Sequence, residues 1–302
     1  DDTTLLFEEP GSHLLTLRVT DEQGNENTFQ ATVTAEEKAV ESDFRVQVIA
    51  PQDRLSATQR AAFTSAARRW SEVIVGSLPQ VTVNAADVER ACGAGLRYTG
   101  VVDDLLLFAD VQPIDGPGGV VGIAGACMLR SDGFPLAGVV VIDADDADFL
   151  LTSGNFELVV MHELGHVLDL SHSGWNRRGL LEHDRSSCLN SSRVTFAGNG
   201  AMRAYAGMGG SGKVPVEDNG VRGTACSHWH EDIFGNELMT GYLNADSRLS
   251  SLTIAALGDM GYEVNLEAAD DYTLPARGAP RLSSIGQGFT EQAGRVDNAR
   301  CG

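Results

Sequence analysis

The chain has 302 residues, 42% of them hydrophobic, which is enough for a large core and for more than one domain. Its 22 Lys and Arg stand against 42 Asp and Glu, and the net charge of −20 disfavours nucleic acid and anionic membrane surfaces as partners. No apolar run approaches the length of a membrane span.

The chain opens on Asp1-Asp2 rather than Met, the expected look of a processed piece. From His13 to Thr20 apolar and polar residues alternate with the period of a strand. Asp21-Glu22-Gln23-Gly24-Asn25 reads as a turn, and Thr28 to Thr34 as a second strand. The pattern resembles the closing hairpin of a PKD-type immunoglobulin-like repeat, so residues 1–37 are expected to be the β-strand remnant of such a domain. Glu36-Glu37-Lys38 reads as a linker, and residues 38–302 as the second domain.

Phe44 to Ile49 reads as a strand. Ser56-Ala57-Thr58-Gln59 opens a helix to about Val75, with Leu55, Phe63, Ala66, Ala67, Trp70, Val73 and Ile74 as its buried stripe. Residues 81–83 and 104–109 read as strands. The Gly-rich stretch 116–122 lacks the Lys-Ser/Thr ending of a phosphate loop. Residues 138–143 read as a strand placed to line a cleft and pair with an extended peptide. Asp143, Asp145, Asp146 and Asp148 then read as a solvated acidic turn; Ca2+ is the lesser alternative, because their spacing is not that of an EF-hand.

The next stretch, Met161-His162-Glu163-Leu164-Gly165-His166-Val167-Leu168-Asp169-Leu170, holds His-Glu-x-x-His in an apolar run without Pro. A helix is expected over residues 155–170, capped by Asn155, with Glu157 in its first turn. Four residues are little more than one helical turn, so His162 and His166 share a face and suit a zinc ion. Glu163 stands beside the open side of that ion as a general base. Residues 171–227 read as a long irregular segment around a functional site, and 249–260 as a helix closed by Gly261. The polar residues after Ala268 read as an irregular tail.

None of the five cysteines forms a Cys-x-x-Cys pair, so two disulfides are expected in place of a cysteine zinc site. Order alone pairs Cys92 with Cys127 and Cys188 with Cys226, leaving Cys301. Such cross-links point to an oxidising compartment, hence secretion or the cell surface.

A catalytic zinc takes three protein ligands, and three candidates offer the third. His172 follows His166 at the metzincin spacing, although that motif has Gly where this chain has Asp169. Glu182 would give a thermolysin-like set. His228 lies in Cys226-Ser227-His228-Trp229-His230-Glu231, followed by Asn236-Glu237-Leu238-Met239. His230, two residues on, shares a face with His228 if that segment is extended. With His-Glu-x-x-His upstream, the His-Trp and Glu-Leu-Met pair resembles the leishmanolysin family of metzincins. Residues 252–262 and Asp115-Gly116-Pro117-Gly118-Gly119 add to the likeness, which covers roughly residues 40–275.

That resemblance implies zinc on His162, His166 and His228, Glu163 as catalytic base, and Met239 in a Met-turn beneath the metal. It implies an α+β metzincin-like fold. In it, residues 38–170 carry a mixed sheet and the active-site helix, and residues 171–302 form an irregular, mostly helical and loop subdomain. The expected function is a secreted zinc endopeptidase acting on protein or peptide substrates. The alternative is a non-catalytic zinc-containing adhesion or binding module of a modular surface protein.

Overall fold

The computed structural model describes residues 11–21, 23–35, 43–50, 54–185, 188–218, 224–242 and 246–275. The chain divides into two compact units, residues 1–41 and 42–302. The linker expected at Glu36-Glu37-Lys38 and the leftover Cys301 lie outside the described residues.

The first unit is an antiparallel hairpin of β1 (Gly11–Thr20) and β2 (Glu26–Ala35). Its register sets Leu17 opposite Phe29 and Leu15 opposite Ala31, so period-2 alternation gathers the apolar residues on one face. Asp21 holds the turn by accepting from the backbone N–H of Gln23 and Asn25.

The second unit continues with β3 (Val46–Ile49), α1 (Ala57–Val73), β4 (Val81–Val83), α2 (Ala85–Cys92), β5 (Gly100–Val102), β6 (Leu105–Gln112), β7 (Gly122–Leu129) and β8 (Pro135–Asp143). Next come α3 (Ala144–Thr152), α4 (Phe156–Val167), α5 (His172–Arg177), β9 (Leu181–His183), β10 (Val194–Phe196), α6 (Asn199–Gly207), β11 (Val214–Val216), α7 (Glu231–Phe234) and α8 (Ser251–Asp259). The fold is mixed α and β.

A four-stranded mixed sheet in the order β3-β6-β8-β7 organises the first half of this unit. β3, β6 and β8 are parallel, and β7 runs antiparallel to β8. Both faces are covered, which is why residues 105–109 form an unbroken apolar run. Leu105, Leu107, Ala109, Val140 and Ile142 join the main core beneath α1 and α4. Leu106, Phe108 and Ala137 point the other way, toward Val88 and Cys92 of α2. The stripe expected on α1 is buried, and Ser56 and Gln59 close a capping box at its start.

Several expectations are corrected. The strand read as lining the cleft, β8, lies inside the sheet between β6 and β7, so both of its edges are already paired. The edge strand next to it is β7, which begins at the last residue of the Gly-rich stretch and is absent from the expected strands. The aspartates read as a solvated turn cap and open α3; Asp145 and Asp148 are exposed as expected, but Asp143 and Asp146 are buried. Asp143 is fully buried and accepts from the N–H groups of Ile114, Asp115 and Asp145, while Asp146 accepts from Gly118 N. These carboxylates bind backbone, and the Ca2+ alternative finds no support. Asn155 precedes α4 without capping it; its amide donates to Ser153 Oγ instead. The segment read as irregular from 171 to 227 contains α5, α6 and a three-stranded sheet in the order β11-β10-β9. Its three-residue strands are too short to carry a readable period. The two expected disulfides, Cys92–Cys127 and Cys188–Cys226, are both present.

Candidate metal centre

α4 is buried on all sides from Val159 to Val167, so His162 (0% exposed), Glu163 (1%) and His166 (2%) are polar groups inside a core. Buried polar groups persist only with partners. Each imidazole has one on its outer nitrogen. His162 Nδ1 lies 2.7 Å from Leu238 O, His166 Nδ1 2.7 Å from Leu170 O, and His228 Nδ1 2.9 Å from Thr224 O. A carbonyl oxygen can only accept, so each Nδ1 carries the proton and each Nε2 turns an unprotonated lone pair inward.

The three Nε2 atoms form a triangle with 3.1 Å sides. Burial pushes the His162 imidazole down to about 3, with help from neighbouring His228; burial likewise lowers His228 to about 4 and His166 well below its usual value. All three are therefore neutral at pH 7. Three lone pairs at this separation repel one another unless a cation lies between them. Zinc–nitrogen bonds of about 2.0–2.1 Å call for ligand nitrogens roughly 3.3 Å apart, close to the spacing here. These three residues could hold a metal ion.

His228 arrives from a distant part of the chain. Glu217 N donates to His228 O and Cys226 N to Glu217 O, extending the β11 edge alongside residues 226–229. The Cys188–Cys226 disulfide ties the same segment to the loop before β10. Trp229 stacks on Trp175 with ring centroids 4.9 Å apart, and its Nε1 donates to Thr253 Oγ1. The Met239 side chain reaches the underside of α4 at Gly165, where a Cβ would come within 2.6 Å of Met239 Sδ.

Other sequence candidates lie apart from the triangle. His172 is half-buried at the start of α5, and its backbone N–H donates to Ser227 Oγ. Glu182 pairs with Lys213. His230 sits near Asp218, with His230 Nε2 3.9 Å from Asp218 Oδ1.

Glu163 lies beside the triangle. Burial raises its carboxyl to about 8, and its Oε2 is buried without a hydrogen-bond partner. Gly122, the first residue of β7, faces it so closely that a Cβ there would stand 2.5 Å from Glu163 Oε1. Sequence reasoning did not single out Gly122; its only signal was the Gly-rich approach to a strand.

The leishmanolysin family model matches residues 87–275, a span that includes all the residues of this centre. The chain belongs to the leishmanolysin family. Among its relatives, the ciliated left-right organizer metallopeptidase of Xenopus laevis is 32% identical over 195 residues, 57% of this chain and 26% of that protein. The leishmanolysin homolog of Crithidia fasciculata is 29% identical over 156 residues, 48% of this chain and 22% of its own length. The chain thus spans about a quarter of the length of each of these leishmanolysin-family proteins. Human matrix metalloproteinase-26 is 31% identical over 125 residues, 41% of this chain and 42% of that protein. Membership in the leishmanolysin family implies a metal ion, typically zinc, and the histidine triangle is compatible with one.

Proposed function

We propose that the chain is a secreted zinc endopeptidase in which His162, His166 and His228 hold one zinc ion, Glu163 is the general base and Met239 floors the site. The observation that carries this reading is three neutral imidazole Nε2 atoms 3.1 Å apart beside a buried, unpartnered carboxylate oxygen. The donor set fits zinc, being three nitrogens in a closed triangle that leaves further coordination positions open. Zinc in such a site polarises a carbonyl and lowers the pKa of water.

The chain's own residues do the rest. Glu163 takes a proton at Oε2 from the attacking water as the water oxygen adds to the scissile carbonyl carbon. It then delivers that proton to the leaving amine nitrogen as the C–N bond breaks. Burial alone raises this carboxyl to about 8; the charge of a zinc ion beside it would act the other way and favour the ionised form that accepts the proton. Among the described residues β7 pairs on one side only, with β8. Its other edge offers N–H and C=O groups to an extended polypeptide whose scissile bond lies beside Glu163.

Two disulfides suit an oxidising, extracellular setting. We assign residues 1–37 to the closing hairpin of a PKD-type domain and 38–302 to the peptidase, divided near residue 170. The adhesion-module alternative is not favoured, because family membership points to a peptidase and binding alone has no use for Glu163.

Casein cleavage that is lost with chelator and restored by zinc is expected. Glu163→Gln should keep one zinc per chain while cleavage falls by at least about 100-fold. A Gln variant with undiminished activity removes the base assignment, and a wild-type chain that takes up no zinc removes the whole reading.

A further inference from the structure

Two non-glycine residues among those described have a positive φ, and both flank the histidine triangle. Cys226 (φ 73) lies two residues before His228 and is held by its disulfide to Cys188. Asp169 (φ 77) lies three residues after His166 and is held by an ion pair.

The chain leaves α4 through a turn in which Asp169 N donates to His166 O and Leu170 N to Gly165 O. This hydrogen-bond pair is the Schellman pattern, whose left-handed position is usually Gly. The metzincin motif that the chain resembles also has Gly there. An L side chain disfavours the left-handed region, although Asp tolerates it better than most. Here the side chain has a use. The Asp169 carboxylate is 4% exposed, and its two oxygens accept from Arg177 Nη2 at 2.8 and 2.6 Å. Arg177 is the last residue of α5, so the helix that follows the turn supplies the cation that closes it. Neighbouring Arg178 adds only a longer ion pair to the same carboxylate, Nη1 to Oδ2 at 3.8 Å, while its Nε donates to Met260 O and its guanidinium lies 4.7 Å from the Phe134 ring centre. The same turn directs the Leu170 carbonyl back onto His166 Nδ1 at 2.7 Å.

We propose that Asp169 and Arg177 form a positioning pair: their ion pair holds the left-handed turn so that the Leu170 carbonyl fixes the ring orientation and tautomer of His166. This rests on the reading of His166 as a zinc ligand. Glycine at 169 relieves the backbone but cuts the tie to α5, leaving the Leu170 carbonyl free to swing. The partner on the outer nitrogen of a ligand histidine influences metal affinity.

The test compares the full chain with Asp169→Gly, Asp169→Asn and Arg177→Lys. Zinc dissociation constants are measured against a competing chelator well below each variant's Tm, and the His166 Nδ1–H resonance is followed by NMR. Asp169→Gly and Asp169→Asn should weaken zinc by about tenfold or more and speed exchange of that proton. Arg177→Lys, which keeps the charge but not the fork, should recover part of both. An Asp169→Gly chain with wild-type zinc affinity and an unchanged His166 signal overturns the pair. Variants that only lose Tm, with both readouts unchanged, overturn it as well. A wild-type chain that takes up no zinc defeats the zinc reading alone, because the His166 proton in the metal-free chain still decides whether the pair positions the ring.

Discussion

Glu237 is a fully buried carboxylate that ties the Met239 turn to the rest of the domain. Its Oε1 accepts from Ser250 N at 3.2 Å, Ser250 Oγ at 2.7 Å and Thr253 Oγ1 at 2.5 Å, and its Oε2 from Met239 N at 2.6 Å. Through Thr253 it also reaches Trp229, the residue after His228. Glu237→Gln keeps the shape but offers one acceptor oxygen where the carboxylate offers two. With that oxygen toward Ser250 and Thr253, the new NH2 faces the Met239 N–H and leaves a buried donor unsatisfied, at about 1–3 kcal/mol.

The size of this effect depends on pH. Burial raises the Glu237 carboxyl from 4.5 to about 7, against the hydrogen bonds that lower it. The folded chain therefore binds a proton more tightly than the unfolded chain, and between those two values wild-type stability falls as pH rises. The span from 4.5 to about 7 is worth about 3 kcal/mol. Gln has no such dependence. The variant should be most destabilised relative to wild type near pH 5, and the difference should shrink by up to about 3 kcal/mol by pH 8. Urea unfolding of both chains at pH 5, 6, 7 and 8, with chelator present to remove metal linkage, measures this. A difference that is constant, or that grows with pH, refutes the reasoning and means that the four donors keep Glu237 ionised.

Three further outcomes follow from contacts around the centre. Gly165→Ala puts a Cβ within 2.6 Å of Met239 Sδ, so it should lower stability by about 1–3 kcal/mol and weaken zinc uptake, read by unfolding and metal titration. Gly122→Ala puts a Cβ within 2.5 Å of Glu163 Oε1; it should reduce peptide cleavage while zinc content stays at one per chain, as peptide assay and metal analysis would show. Replacing Cys188 and Cys226 with Ser opens a cross-link over a sequence separation of 38, worth about 4 kcal/mol on chain-entropy grounds. Zinc affinity should fall along with Tm, because Cys226 holds the turn before His228; unchanged affinity would separate the disulfide from the site.

His162, Glu163 and His166 could be read together from the sequence because a helix of 3.6 residues per turn brings them onto neighbouring positions. The same local logic read the α1 stripe and the α8 helix, where burial follows a period that a linear sequence records. It missed the β9–β11 sheet, whose strands are three residues long, and the burial of Asp143 and Asp146 at the start of α3, whose carboxylates accept from backbone N–H groups 28 and 29 residues away. The resemblance brought His228 to notice, with His172 left open beside it. Only the tertiary structure decided which imidazole meets the other two. His228 lies 62 residues beyond His166 and is brought there by pairing along β11, a disulfide and the Trp175–Trp229 stack. It also decided how Asp169 can stand where the motif has Gly. The compensation comes from Arg177 across the turn, an interaction that no spacing rule for a single helix contains.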